Sequence, residues 1–551
     1  MRLRHAWATG LVLLMPAATP AMVTPSPSGM REYVHARLAD SEGQPEAAAL
    51  QYARLLESYP EDKLLALRSY RQALIAGRFD TALVAAHRLD QLKALPADAT
   101  LMLLAEAVTN RNWTAANKVI ERIQREQVFG FLVPVMRGWV AFGQRAHDPA
   151  RPMAGSVNSQ LAGAYARDHG LLIRLAADDR TALAEIARLA ATRDSRAVRL
   201  QLAAAALLAK RDRIAEARAM LDGMAPELAT ARALIDAGKP LPGVVDTPAL
   251  GLSEMFAQLA VDVKGDGRSP VSLQLARLAT YLAPDNQAAV IAAADLLASN
   301  GYRQSALKLL DRVSAESPLA DAARQERASI LLAIGDRKVA LEDARRAAAR
   351  PDADAADLVE LGGILSDMDK PAEAATAYQR AIELEAAKGR RNWVHLFLKA
   401  GALDKAGDWP GAKKLLHDAN RLAPGQAIIL NYIGYGMLDR GEDLAEAQSY
   451  IERASALDPN DAAIADSLGW LYYQRGNYSG AIAALERAVV GEPGQSVINE
   501  HLGDAYWAVG RRIEARHAWQ AALVQADPPS AERIRRKIED GPDGSRAATA
   551  R

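Results

Sequence analysis

The chain has 551 residues, half of them hydrophobic, with few aromatics and no cysteine. The missing thiol excludes disulfides, thiolate metal sites, a cysteine nucleophile and a lipid-modified N-terminal cysteine. Basic and acidic residues balance at 67 each, so no global charge draws the chain to nucleic acid or to an anionic membrane.

Residues 1–22 have the makings of an export signal. Arg2, Arg4 and His5 form a basic start, Ala6 to Met15 is mostly apolar, and Pro16 to Met22 is small and Pro-containing, with a cut expected near Ala21. The apolar stretch is too short to span a bilayer. The protein is therefore expected to be exported, and soluble in the periplasm of a two-membrane bacterium.

In residues 30–128, Ala48, Ala82 and Ala116 recur every 34 positions, with Tyr52 and Pro60 in phase. So steady a period marks an array of one structural unit, each burying its core against its neighbours. Residues 129–249 are harder to assign. Thr181 to Ala191, Val198 to Lys210 and Arg213 to Leu221 have helical periodicity and read as divergent helix pairs, with a separate helical domain as the alternative. Joints are expected at Gly143 to Ser159, Ala237 to Pro248 and Gly265 to Pro270.

The period returns in residues 250–388 and 389–540. Ala306, Ala340, Ala374, Ala412, Ala447, Ala481 and Ala515 are separated by 34, 34, 38, 35, 34 and 34 positions. Ala347, Ala381, Ala419, Ala454, Ala488 and Ala522 follow seven positions behind. The stride of 38 is expected to come from a longer exit loop at Ala387 to Asn392. In the clearest unit, Ala465, Leu468, Gly469 and Tyr472 share one face of a first helix, Arg475-Gly476-Asn477 turns the chain, and Ala481, Leu485 and Ala488 line a second helix ending before Pro493. A Gly facing an Ala lets two backbones approach closely. Ser530 to Asp540, with Ile534 and Ile538 among charges, suits a terminal helix with a polar outer face, and 541–551 reads as a disordered tail.

Leu468-Gly469, Tyr472, Ala481, Ala488 and Pro493 resemble the tetratricopeptide repeat (TPR) pattern. Gly434, Ala447, Ala454 and Pro459 repeat it, as do Ala412, Ala419 and Pro424, and Gly362, Ala374, Tyr378 and Ala381. The fold expected is all-α, an α-α superhelix of antiparallel hairpins in one array or two arms. Residues 425–540, notably Asp466-Ser467-Leu468-Gly469-Trp470 and His501-Leu502-Gly503-Asp504-Ala505-Tyr506-Trp507, also resemble the C-terminal part of an exported proteobacterial TPR family. Some members of that family are outer-membrane lipoproteins that act as adaptors for a carboxyl-terminal processing protease. This chain lacks their lipid-acceptor cysteine.

The TPR resemblance implies that a second face of each first helix lines a concave groove. That face carries Asn431 and Tyr435, then Asp466, Trp470 and Tyr473, then Glu500, Asp504 and Trp507. Aromatics dominate binding hot spots, and neighbouring carboxylates favour a basic segment of a protein or peptide partner. Two readings stand for Trp470 and Trp507: groove lining, or packing against the adjacent repeat. Tyr472 and Tyr506 are expected in the core, and Arg511, Arg512 and Arg516 in a solvated turn.

No phosphate-binding loop, zinc-binding His-Glu-x-x-His or nucleophile elbow occurs in the sequence. Asp262 to Arg268 faintly resembles a calcium loop but has Leu273 where the closing Glu belongs, and reads as a turn. Asp168, His169, Asp178 and Asp179 are the notable titratable group in 129–249 and look like helix-end residues. The function expected is a non-enzymatic envelope scaffold or adaptor without cofactor or metal, with the protease or its substrates among its partners. An enzyme with a site in 129–249, or a self-assembling structural protein, is the alternative.

Overall fold

The computed structural model describes residues 27–155, 159–190, 195–222, 226–264, 269–351 and 353–542. The export signal, most of the tail and residues 265–268 of the third joint and the calcium-like turn lie outside them. The described elements are all helical, and they fall into two units, Met1–Ile334 and Gly335–Arg551. No helix among the described residues is long and apolar enough to cross a membrane.

The second unit is a run of TPR-type hairpins. Helix Ala355–Asp367 pairs with Pro371–Ala387, Trp393–Lys405 with Trp409–Leu422, Ala427–Asp439 with Leu444–Leu457, Ala462–Gln474 with Tyr478–Gly491, and Ser496–Ala508 with Arg512–Leu523. Side chains cap the starts: Asp461, Asn477 and Asp443 each accept a backbone N–H in the first turn. Ala340, Ala374, Ala412, Ala447, Ala481 and Ala515 are fully buried, as are Ala48, Ala82, Ala116 and Ala306 in the first unit. At Gly469 a Cβ would lie 2.5 Å from Leu485 Cγ and 3.2 Å from the Ala481 carbonyl, so the small pair is what lets the helices close up.

The stride of 38 has a different origin from the one expected. Helix Pro371–Ala387 runs 17 residues, against 14 for Leu444–Leu457, so most of the insertion extends the helix rather than its exit loop. Alanine and Glu through this stretch support the added turn.

The first unit has one continuous core, with members from Ala36 to Ile330. At its centre are two helices, Pro248–Asp262 and Pro270–Leu282. The latter packs on Lys63–Ala76 and Ala97–Thr109, and the former on Ala97–Thr109, Val133–Gly143 and Gln160–Ala176. From Ser272 to Thr280, helix Pro270–Leu282 is buried on all sides, polar residues Gln274, Arg277 and Thr280 included. Arg277 Nε donates to the Leu74 carbonyl at 3.1 Å, placing a cation at the C-terminal end of helix Lys63–Ala76, where the helix dipole favours it.

Candidate functional site

The expected site residues lie on three successive first helices, Ala427–Asp439, Ala462–Gln474 and Ser496–Ala508. Spacings of four and seven put each set on one helix face. The faces meet where neighbouring first helices adjoin. Asp466 lies 2.9 Å from His501 Nδ1, and the Trp470 ring stacks on His501 at 4.1 Å and on Tyr473 at 4.9 Å. Asp466 is only 7% exposed. Tyr435, Trp470, Tyr473 and Trp507 are half-buried. Burial, with the charges of Asp466 and Asp439, pushes the Tyr435 hydroxyl up to about 12. Asn431, also half-buried, has a side-chain oxygen that is buried with no hydrogen-bond partner. Of the two readings of Trp470, the packing is seen directly: the ring stacks on His501 of the next repeat and on Tyr473 of its own helix.

In the last hairpin the acids are engaged internally. The terminal helix Pro528–Asp540 covers them. Arg533 donates to both Glu500 oxygens at 2.9 and 2.7 Å, and Lys537 reaches Glu500 at 2.7 Å and Asp504 at 2.6 Å. Asp504 also accepts the Trp519 indole N–H at 3.0 Å. Glu500 and Asp504 are 5% and 6% exposed, so these two carboxylates meet the chain's own terminal helix rather than an open groove. The physical reason is the terminal helix, which buries Ile534 in the core of this last described hairpin and lays its cations over the acids. Trp507 packs on Trp519 at 5.4 Å, with Arg512 and Arg516 over its ring. Arg511 lies 4.1 Å above the Tyr506 ring; Arg511 and Arg512 are exposed, as expected of a solvated turn, while Arg516 is half-buried and donates to the Ile538 carbonyl. Tyr506 is buried and Tyr472 half-buried, packed between two core clusters.

In the divergent segment, Asp168 and His169 sit in the middle of helix Gln160–Ala176, both buried, and not at its end. They belong to a network that the sequence pattern missed. Tyr165 donates to Asp262 at 2.7 Å, Arg196 pairs with Asp168 and Asp262, and the Trp139 indole donates to His169 Nδ1 at 3.2 Å. Burial, then the charges of Arg199 and Arg196, lowers His169 to about 3, so its imidazole is neutral and Nδ1 is free to accept. Asp178 and Asp179 lie in the turn that follows, paired with Arg211 and Arg174. Among the described residues no group of three His, Asp or Glu could hold a metal ion. Tyr165 and Asp262 are 97 positions apart, and no local motif announces such a pairing.

No family model matches the chain, and neither does any curated protein. Among solved structures it is similar to a thermophilic TPR protein of Thermus thermophilus, at 22% identity over 34% of this chain and 98% of that one, with a TM-score of 0.29. A TPR protein of Parabacteroides merdae is similar at 14% identity over 45% and 96%, TM-score 0.37. The Cut9–Hcn1 hetero-tetramer of the APC/C is similar at 13% over 94% and 96%, TM-score 0.38. The TPR-type fold assigned here rests on the chain's own hairpins.

Proposed function

We propose that this chain is a non-enzymatic scaffold that holds a protein or peptide partner along the first-helix face of residues 427–508. The observation that carries the reading is the terminal helix. Its Arg533 and Lys537 lie on Glu500 and Asp504, so the chain itself supplies an instance of a basic helix seated on that face. Upstream, the half-buried rings of Tyr435, Trp470 and Tyr473 offer contact area at low entropic cost. The finer reading places the scaffold in the cell envelope as an exported adaptor presenting substrates to a carboxyl-terminal processing protease. It is supported by the basic-then-apolar start and the resemblance of residues 425–540. The buried network around Asp168 and His169 is paired internally, which favours a structural role there over catalysis.

Affinity capture from envelope extract tests this, comparing the wild-type chain with Trp470→Ala/Trp507→Ala and with Tyr435→Ala. Specific partners are expected to be lost from the variants while helical circular dichroism stays intact. Undiminished capture by folded variants removes the face from the function. Fractionation of cells expressing the full chain, with and without residues 1–22, tests export.

A further inference from the structure

The first unit holds a cavity of about 580 Å³ that the peptide-binding reading does not use. It lies between helices Ser195–Lys210, Pro248–Asp262, Gln287–Ser299 and Ala320–Ala333, and the joint 237–247 forms one wall. Its volume falls in the range of small-ligand sites, roughly 300–1,000 Å³. Leu202, Val245, Leu250, Ile291 and Leu319 line it with alkyl groups. Val261 lines it too and is 51% exposed, so the apolar wall runs out to the surface and leaves a way in.

The polar side chains of the wall are largely committed to partners of their own. Arg199 is the one cation among the lining residues, and it pairs with Glu254 at 2.8 Å. Lys264 donates to both Asp295 oxygens at 2.8 Å, and Glu326 lies in the field of that same pair. Asn286 accepts the Ala289 N–H at 3.1 Å and donates to Ser253 at 3.0 Å, and Ser317 accepts the Leu319 N–H at 3.0 Å. Asp285 is exposed to solvent, and the Gln287 side-chain oxygen is buried out of reach of a water-sized molecule.

A ligand carboxylate therefore meets no free cation here. A ligand ammonium competes with Arg199 and Lys264 for carboxylates they already hold, and either ion gives up hydration on entry. What the space offers is alkyl surface. Water inside finds few of the two to four polar partners, roughly, that hold a buried water in place, and an apolar group that displaces such loosely held water gains affinity.

We infer that this cavity is a binding site for a small uncharged aliphatic molecule, seated against Leu202, Leu250, Ile291 and Leu319. The site is separate from the first-helix face of the second unit and stands whether or not that face binds a partner.

Isothermal titration of the full chain with 1-hexanol, hexanoate and n-hexylammonium tests the assignment, because the three share a chain length and differ in charge. Saturable one-site binding of hexanol is expected, with each ion about ten-fold weaker or more. Hexanol should also slow hydrogen exchange in residues 248–262 and 287–299, which locates the site without a substitution. Ala322→Phe, or Ala292→Phe if the first fails to fold, should fill the cavity and abolish hexanol binding. Absence of saturable hexanol binding, either ion binding as tightly as hexanol, exchange slowed only outside those helices, or hexanol affinity unchanged in a folded filling variant would overturn the inference.

Discussion

Lys537 Nζ lies 2.6 Å from Asp504, tying the terminal helix to the last first helix of the array. The same ammonium reaches Glu500, and Arg533 completes the clasp. The two cations are not equivalent. The Arg533 side chain is 57% exposed, so Arg533→Ala should cost at most about 1 kcal/mol. Lys537 is 17% exposed and bridges two buried carboxylates, so Lys537→Ala leaves like charges facing each other and should cost about 3 kcal/mol. Urea denaturation, with hydrogen exchange read on residues 528–540, should rank the variants in that order.

The clasp also sets an acid response. Burial alone would raise the Glu500 carboxyl, but its hydrogen bonds and charge contacts with Arg533 and Lys537 outweigh burial and hold it at about 2, from an ordinary 4.5. Its stabilising contribution is therefore complete above about 4.5 and is lost as pH falls towards 2. Asp504 moves the other way: burial, aided by the Glu500 charge, outweighs Lys537 and raises it. Protection of the terminal helix should decline across the Glu500 window in the wild type and show a shallower decline in Glu500→Gln. Superimposable pH profiles would contradict this account of the clasp.

His169 makes the first unit acid-sensitive in a higher window. Its folded imidazole stays neutral down to about 3, whereas the unfolded one protonates near 6.5. Stability is then full above 6.5 and falls as pH drops below it, by at most about 1.4 kcal/mol per pH unit from this group. His169→Gln should flatten that slope, even if it lowers stability at pH 7 by disturbing the bond from Trp139. Denaturant titrations at several pH values measure both effects.

Gly469→Ala probes the close approach of paired helices. The added Cβ would sit 2.5 Å from Leu485 Cγ, and the fully buried Leu485 has little room to give way. A loss of about 1–3 kcal/mol is expected, despite the better helix propensity of alanine. A stabilised variant would show that the hairpin spacing is not set by this glycine.

Arg277 tests the core of the first unit. Burial lowers its guanidinium to about 10, and its partner carbonyl, Leu74, also accepts from the Gly77 N–H at 3.1 Å. Arg277→Met keeps most of the packing and leaves that carbonyl bonded, so it should cost about 1 kcal/mol or less. Arg277→Ala opens a cavity and should cost about 3 kcal/mol. Equal losses would indicate that the cation, not the volume, is what matters.

Much of the fold was legible in the repeat period. Ala447, Ala481 and Ala515 marked helices that pack where the spacing put them, and the turn at Gly476 has the positive φ that a glycine supplies cheaply. Helical geometry alone groups Asn431 with Tyr435, Asp466 with Trp470 and Tyr473, and Glu500 with Asp504 and Trp507, each set on one face of its own helix. What covers the last of these faces was not legible. Ile534 and its neighbouring charges identified a capping helix, but nothing in the pattern said that Arg533 and Lys537 would meet Glu500 and Asp504. In the divergent segment the helical runs were legible, whereas Asp168 and His169 were misread as terminal because their partners are distant in the chain.

The division follows sequence separation. Hairpin pairing, helix ends and the phase of the small residues come from contacts made within one repeat or between neighbours, and a 34-residue period records those directly. The central helices of the first unit come from contacts such as Arg277 to Leu74, 203 positions apart, and the cavity walled by residues 199 to 326 exists only once four helices and a joint have come together. Local patterning specifies which faces seek burial. Which distant face, cation or cavity meets them is settled by packing among many near-equivalent apolar surfaces, and that choice leaves no periodic trace.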